Sequence, residues 1–319
     1  MTGLRIAITG LGTFLGQRLV RRWAESPAVE RIVAIDRRPP LRTYGRVDFE
    51  EVDLCDPVAD VRLAEKLERV DVFVHLAFRR FPSADHDLDH ELETLGTLRV
   101  LNACAAAGVQ RVVVQSSTMA YGARPSNPNF LDESHPLHGH PDAHNVQNRL
   151  EVERHLVGWR AKHPERELTV LRHCWVMGPT FYDRVVEFFE SERPATVLGY
   201  DPLLQFVHEE DLVDAFEKAA LESHPGVFNV VGKGVLPLAT LLALADKRPR
   251  PVPRGWLYRS HWLHSEGLYG DPPGAFFDYL RYLWVADGAR AWAEFGEPVY
   301  TTREAWVAFV ASRKMRRYA

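Results

Sequence analysis

The chain has 319 residues, 46% hydrophobic and 26% charged, which is the make-up of a globular protein of about two domains' worth of core and not of a disordered or fibrous one. Lys+Arg numbers 39 against Asp+Glu 43, a net charge of −4 that argues against a dedicated nucleic-acid or anionic-membrane surface. The three cysteines, Cys55, Cys104 and Cys174, lack disulfide-scaffold or metal-ligand spacing, no signal peptide is evident, and apolar stretches such as Val72 to Phe78 are too short to span a bilayer. A cytoplasmic location is therefore expected.

Leu4 to Thr9 reads as a buried strand, and Phe14 to Glu25 as an amphipathic helix. Further strands are expected at Arg31–Asp36, Arg46–Asp53, Asp71–Ala77, Arg111–Ser116 and Leu168–Arg172. Helices are expected over His90–Ala107, where Leu92, Leu95, Leu98 and Leu101 recur, and near Asp142–Lys162. Strands alternating with helices require crossover connections, and apolar rather than alternating strands imply burial on both faces. The fold class is α/β: a Rossmann-type, doubly wound parallel sheet with a smaller C-terminal α/β substrate domain. Residues 1–178 are assigned to the first domain, with a return around 203–232, and 179–319 mainly to the second. There, Phe206–Ala220 reads as a strand running into a helix and Gly226–Val231 as a strand. The stretch Arg248–Pro273 has no clean period, and the closing SRKMRR reads as a solvated helix end.

The segment Thr9-Gly10-Leu11-Gly12-Thr13-Phe14-Leu15-Gly16 lies between the first strand and the first helix, where a dinucleotide pyrophosphate meets unpaired N–H groups. Asp36 ends the second strand, where a carboxylate accepts ribose hydroxyls. Asp36 disfavours a 2′-phosphate, whereas Arg37 and Arg38 after it can recruit one, so NAD or NADP is expected with NAD slightly favoured.

These residues, with several further segments, resemble the extended short-chain dehydrogenase/reductases, in the NAD-dependent epimerase/dehydratase branch. Asp53-Leu54 matches that family's adenine-contacting pair, His75-Leu76-Ala77 the end of its fourth strand, and Gly96-Thr97 the next helix. Ser116-Ser117-Thr118-Met119-Ala120-Tyr121-Gly122 matches its Ser-Ser-x-x-x-Tyr-Gly segment. Leu171-Arg172, Gly178-Pro179, Phe206-Val207-His208 with Asp211, and Phe228-Asn229-Val230 match later ones. The resemblance implies cofactor contacts from Gly10, Gly12, Thr13, Phe14, Leu15, Gly16, Asp36, Arg37, Asp53, Leu54, Leu76, Ala77 and Arg149, and a substrate contact from Ser117. It also implies nucleotide-sugar or other small-molecule chemistry.

The departures concern catalysis. The family's Tyr-x-x-x-Lys pair is missing: none of the ten tyrosines has Lys four residues on. Aligning the helix by Glu153 puts Asn145 at the Tyr position and Arg149 at the Lys position, on one helical face. A carboxamide does not trade protons at useful pKa, and Arg is not a conservative stand-in for an ammonium. Only six of the 39 basic residues are lysines. Glu93 stands where the family has Asn, and Thr13 replaces a glycine and threatens to crowd the pyrophosphate.

Three readings follow: a dinucleotide-binding member with a degenerate site at Ser117, Asn145 and Arg149; an active epimerase, dehydratase or reductase with His144 or Tyr121 as substitute acid/base; and a non-enzymatic dinucleotide sensor. The histidines His135, His138, His140 and His144 lack zinc spacing, and no metal site is expected. Trp256, Tyr258, His261, Trp262 and His264 give the second half an aromatic character, and Arg79-Arg80 falls near the cofactor edge. The expected partner is a small molecule, not nucleic acid or membrane, with the assembly open and a homodimer included.

Overall fold

The computed structural model describes residues 3–39, 45–79, 83, 85–258, 271 and 273–316. Its centre is a seven-stranded sheet whose described strand pairs are all parallel. Strands β1 (Leu4–Thr9), β2 (Val29–Asp36), β3 (Val47–Glu51), β4 (Val72–His75), β5 (Arg111–Ser117) and β6 (Glu167–His173) are joined by a Gly226–Val230 strand beside β6. From one edge the order is Gly226–Val230, β6, β5, β4, β1, β2, β3. The winding direction reverses between β1 and β4, which opens a crevice at the carboxyl ends of those strands. Arg80, His261, Trp262 and His264 lie outside the described residues.

Helices cover both faces. They are α1 (Phe14–Glu25), α2 (Ala59–Lys66), α3 (His86–His90), α4 (Gly96–Ala107), α5 (His144–Lys162), α6 (Arg184–Glu190) and α7 (Glu209–Leu221). Helix α1 buries Leu15, Leu19, Val20 and Trp23, the stripe its sequence period requires. One core includes these residues together with Phe206, Leu212 and Phe216; a second, on the opposite face, joins Leu63, Val100, Leu101, Val152 and Leu156. The expected helix from His90 is interrupted: Glu91–Leu95 forms a π-helical turn between α3 and α4. In the C-terminal half, short strands pair Trp175–Met177 with Phe206–His208 and Ala195–Val197 with Arg250–Val252. The helix Thr302–Arg316 carries SRKMR at its end.

The β1–α1 turn depends on two glycines. Gly10 has φ +77°, and a Cβ there would overlap the Leu76 carbonyl; one at Gly16 would overlap the Gly10 carbonyl. Gly10→Ala is therefore expected to cost about 2–4 kcal/mol, combining a left-handed backbone with overpacking. Gly108 shares the positive φ but has open space around its Cβ position, so Gly108→Ala should cost only about 1–2 kcal/mol. Urea denaturation of both variants measures the difference.

Candidate functional site

A continuous cleft runs along the carboxyl ends of the central strands. Its first chamber, about 550 Å³, is lined by Gly10, Gly12 and Thr13 after β1, Ile35, Asp36 and Arg37 at the end of β2, Val52 and Leu54 after β3, and Ala77 to Arg79 after β4. Ile35, Val52 and Leu54 with Leu92 make an apolar slot that has the Asp36 carboxylate in its wall. Asp36 Oδ2 accepts the Gly12 N–H at 3.0 Å, and Oδ1 accepts the Arg37 N–H at 2.7 Å. Each oxygen keeps a lone pair, the acceptor set that a ribose diol needs. Arg37 directs its guanidinium at Asp53, 3.3 Å away, while Asp53 Oδ1 accepts the Cys55 N–H at 2.9 Å. Leu76 contributes its carbonyl against Gly10.

Thr13 does not crowd this turn. Its hydroxyl donates to the Gly10 carbonyl at 2.7 Å and accepts the Gly16 N–H at 3.0 Å, capping α1. The side chain is folded back into the loop. The N–H groups of the first helical turn, at Phe14 and Leu15, lack partners in the preceding turn and suit an anion. The residues present thus fit a dinucleotide: apolar slot, diol acceptor, glycine turn and helix N-terminus follow in order.

The second chamber, about 920 Å³, shares Thr13, Phe78 and Arg79 with the first. Phe14, Leu15, Ser117, Asn145, Arg149, His173, Cys174, Phe181 and Asp183 are among its other lining residues. Ser117 ends β5, where its Oγ accepts the Met119 N–H at 3.2 Å, so it caps the short Thr118–Tyr121 turn and still faces the cleft. Asn145 and Arg149, one turn apart on α5, both reach this chamber. Arg149 donates to the Gln115 carbonyl at 3.2 Å and sits over the Phe78 ring, its Cζ 3.4 Å from the centroid. Burial draws the Arg149 guanidinium down to about 10, against the attraction of Glu93 and Glu153. Glu93, on the π-helical turn, is buried, accepts the Arg79 N–H at 2.8 Å, and has its carboxyl pushed up by that burial. Arg79 pairs its side chain with Asp89.

The two substitute acid/bases are placed elsewhere. The Tyr121 phenol is buried, donates to Asn229 Oδ1 at 2.8 Å and accepts from Arg172 at 2.9 Å. Burial pushes its pKa up. His144 opens α5 without any shift of the helix start, but its Nδ1 faces Asp271 Oδ1 at 2.6 Å and it does not line the chamber. The expected histidine cluster disperses too. His140 meets Asp278 at 3.1 Å, while His135 and His138 lie edge to face with centroids 6.1 Å apart. Trp256 is exposed, whereas the Tyr258 hydroxyl bonds Asp278.

Among the lining residues that sequence reasoning missed are Phe78 and His173. Phe78 directly follows the matched His75-Leu76-Ala77 segment, and His173 directly follows Leu171-Arg172; each was legible only as a flank of a motif. His173 Nδ1–H donates to the Cys174 carbonyl at 2.7 Å, so Nε2 accepts from the Gln115 amide at 2.9 Å. Burial holds this imidazole down at about 4.

Fold and cleft together define a Rossmann protein of the extended dehydrogenase type. The model of the NAD dependent epimerase/dehydratase family matches residues 6–231, and the chain belongs to that family. It is similar to Uncharacterized protein Rv0501 of Mycobacterium tuberculosis, 29% identical over 309 residues, covering 94% of this chain and 82% of that protein. Among solved structures it resembles MoeE5 in complex with UDP-glucuronic acid and NAD, with TM-score 0.74, 21% identity and coverage of 99% and 100% of the two chains. It also resembles the UDP-glucose 4-epimerase of Thermotoga maritima with UDP-glucose, with TM-score 0.72, 18% identity and coverage of 98% and 100%. Among the described residues no helix is long and apolar enough to cross a membrane.

Proposed function

We propose that this chain binds NAD(P), with NAD favoured by Asp36, but has lost the proton-transfer pair of its family, so that occupancy of the cleft by dinucleotide and a small ligand outlasts standard oxidoreductase or epimerase turnover. The observation that carries this reading is the cleft-facing side of α5. It presents Asn145 and Arg149, and among the described residues no tyrosine lines the chamber. A bound dinucleotide would supply hydride transfer, but a carbonyl or alcohol substrate also needs a group to exchange a proton. Asn145 has none to exchange near neutral pH, and Arg149 keeps its proton there. His173 is neutral at pH 7, with both ring nitrogens engaged by Cys174 and Gln115. Ser117 remains able to orient a ligand hydroxyl. The three free thiols, two of them buried, agree with a reducing, cytoplasmic setting.

Calorimetry with NAD, NADH, NADP and NADPH tests the first half. Asp36→Ala should weaken binding about 10- to 100-fold, the worth of one or two hydrogen bonds to a charged group. Failure of the intact protein to bind any of the four overturns the nucleotide assignment. Single-turnover assays of reduced-nicotinamide absorbance with UDP-sugars test the second half. The native chain should be silent, and Asn145→Tyr with Arg149→Lys should raise the rate. Turnover by the native chain that the double substitution leaves unchanged overturns the degenerate-site reading.

A further inference from the structure

The strongest chemistry outside the cleft is a meeting of three chain segments beside the N-terminus of α5. His86 opens α3, His144 opens α5, and Asp271 comes from the C-terminal half. One potential ligand atom from each lies within 4.8 Å of the others. We propose that His86, His144 and Asp271 bind a divalent ion of the zinc class, which clasps the two halves of the chain together beside the cleft.

Asp271 provides the main argument. It is 5% exposed, and its two oxygens are treated unequally. Oδ1 accepts the His144 backbone N–H at 3.0 Å and faces His144 Nδ1 at 2.6 Å. Oδ2 is buried with no hydrogen-bond partner. A buried carboxylate oxygen left unpaired is costly, and a native fold that retains one calls for a missing cation or donor. The neighbouring groups favour a metal, because both are imidazoles. Two nitrogens and one carboxylate oxygen form the three-ligand set of open zinc sites, with a fourth position left for water or substrate. Magnesium and calcium select all-oxygen cages, so this donor set discriminates against them.

The rings now stack rather than converge, with centroids 3.8 Å apart and planes 21° apart. Their in-plane lone pairs therefore run side by side. Loading requires one ring to turn about its Cβ–Cγ bond, a soft torsion for histidine, and the His144 side chain is half exposed. The site differs from the histidine group the sequence suggested. His140 is engaged by Asp278, and among the described residues His135 and His138 belong to no three-ligand group.

The test is calorimetric titration of chelator-stripped full-length protein with zinc, alongside magnesium and calcium. About one equivalent of zinc should bind, as this three-ligand site requires. His86→Ala and His144→Ala should each weaken it about 100-fold, at least the cost of disturbing a ligand's support. His138→Ala should leave it unchanged, and magnesium should not bind. Because Asp271 is buried, Asp271→Asn is read together with its melting curve. Zinc should raise the melting temperature of the native protein but not of His86→Ala, since a ligand stabilises only the state that binds it. Substoichiometric zinc, or binding that survives both histidine substitutions, overturns the site.

Discussion

Lowering the pH from 6.5 to 4 is expected to remove about 3 kcal/mol of folding stability for each of two histidines, the buried His75 and the half-buried His173, a slope of about 1.4 kcal/mol per pH unit per group. His75 is fully buried in β4, with its pKa pulled to about 3 by burial and by Arg149. Its hydrogen bonds define the neutral form. The Thr9 hydroxyl accepts the Leu76 N–H, so its own proton goes to His75 Nδ1 at 2.7 Å. The Thr97 hydroxyl donates to the Glu93 carbonyl, so it accepts from His75 Nε2–H at 2.9 Å. A second ring proton would face a hydroxyl hydrogen. For His173 the conflicting donor is the Gln115 amide.

The sign follows from which state takes the proton. Both imidazoles titrate near 6.5 when unfolded and near 3 or 4 when folded. Above pH 6.5 neither state is protonated and stability is complete. As the pH falls below 6.5 the unfolded chain gains protons that the folded chain refuses, and stability drains until the folded values are reached. Urea denaturation at a series of pH values measures the slope. His75→Gln and His173→Gln should each flatten it by one group's share, and an unchanged slope would refute the assignment.

Glu153→Ala should cost about 3–5 kcal/mol, because it strands a buried guanidinium. Glu153 and Arg172 are both about 5% exposed. The carboxylate accepts Arg172 Nε at 2.8 Å and Nη2 at 3.0 Å, a bidentate pair, and also the Ser116 hydroxyl at 2.7 Å. Arg172 Nη1 continues to Tyr121, and Tyr121 to Asn229, whose amide bonds the Leu131 and Asp287 carbonyls at 3.0 Å. The chain of bonds links α5, β5, β6 and the last strand of the sheet. Its position behind the cleft keeps Tyr121 tied into this network and off the chamber lining. Tyr121→Phe should lose about 1–2 kcal/mol while leaving dinucleotide affinity unchanged, a pairing that calorimetry and urea denaturation read together. Replacing Glu153 and Arg172 together by Leu and Met should recover much of the loss from Glu153→Ala, since no charge is then stranded.

Much of the fold was legible because parallel strands buried on both faces leave unbroken apolar runs. Leu4–Thr9 and Phe14–Glu25 coincide with β1 and α1, and the other sheet strands fall within a few residues of expectation. The geometry of the β1–α1 turn was legible for a local reason: glycines, cap and Asp36 all act within one βαβ unit. The π-helical turn at Glu91–Leu95 was not, since a leucine period continues through it unchanged. The roles of His144 and Tyr121 were hidden for a different reason. Their partners, Asp271 and Asn229, stand 127 and 108 residues away, and periodicity reports which face a residue occupies but not what meets it there. The capping role of Thr13 was not legible from its size; its hydroxyl has two backbone partners within three residues.

That threonine has a thermodynamic consequence. A loop made only of glycines samples many shapes and must be ordered when an anion arrives, whereas one tied from Gly10 to Gly16 through a single hydroxyl is already ordered. Association with such a loop carries less of an entropic penalty, and its enthalpy comes from new contacts rather than from a coil-to-loop transition. The β1–α1 end of the cleft is thus built as a rigid receptor for whatever anion docks there.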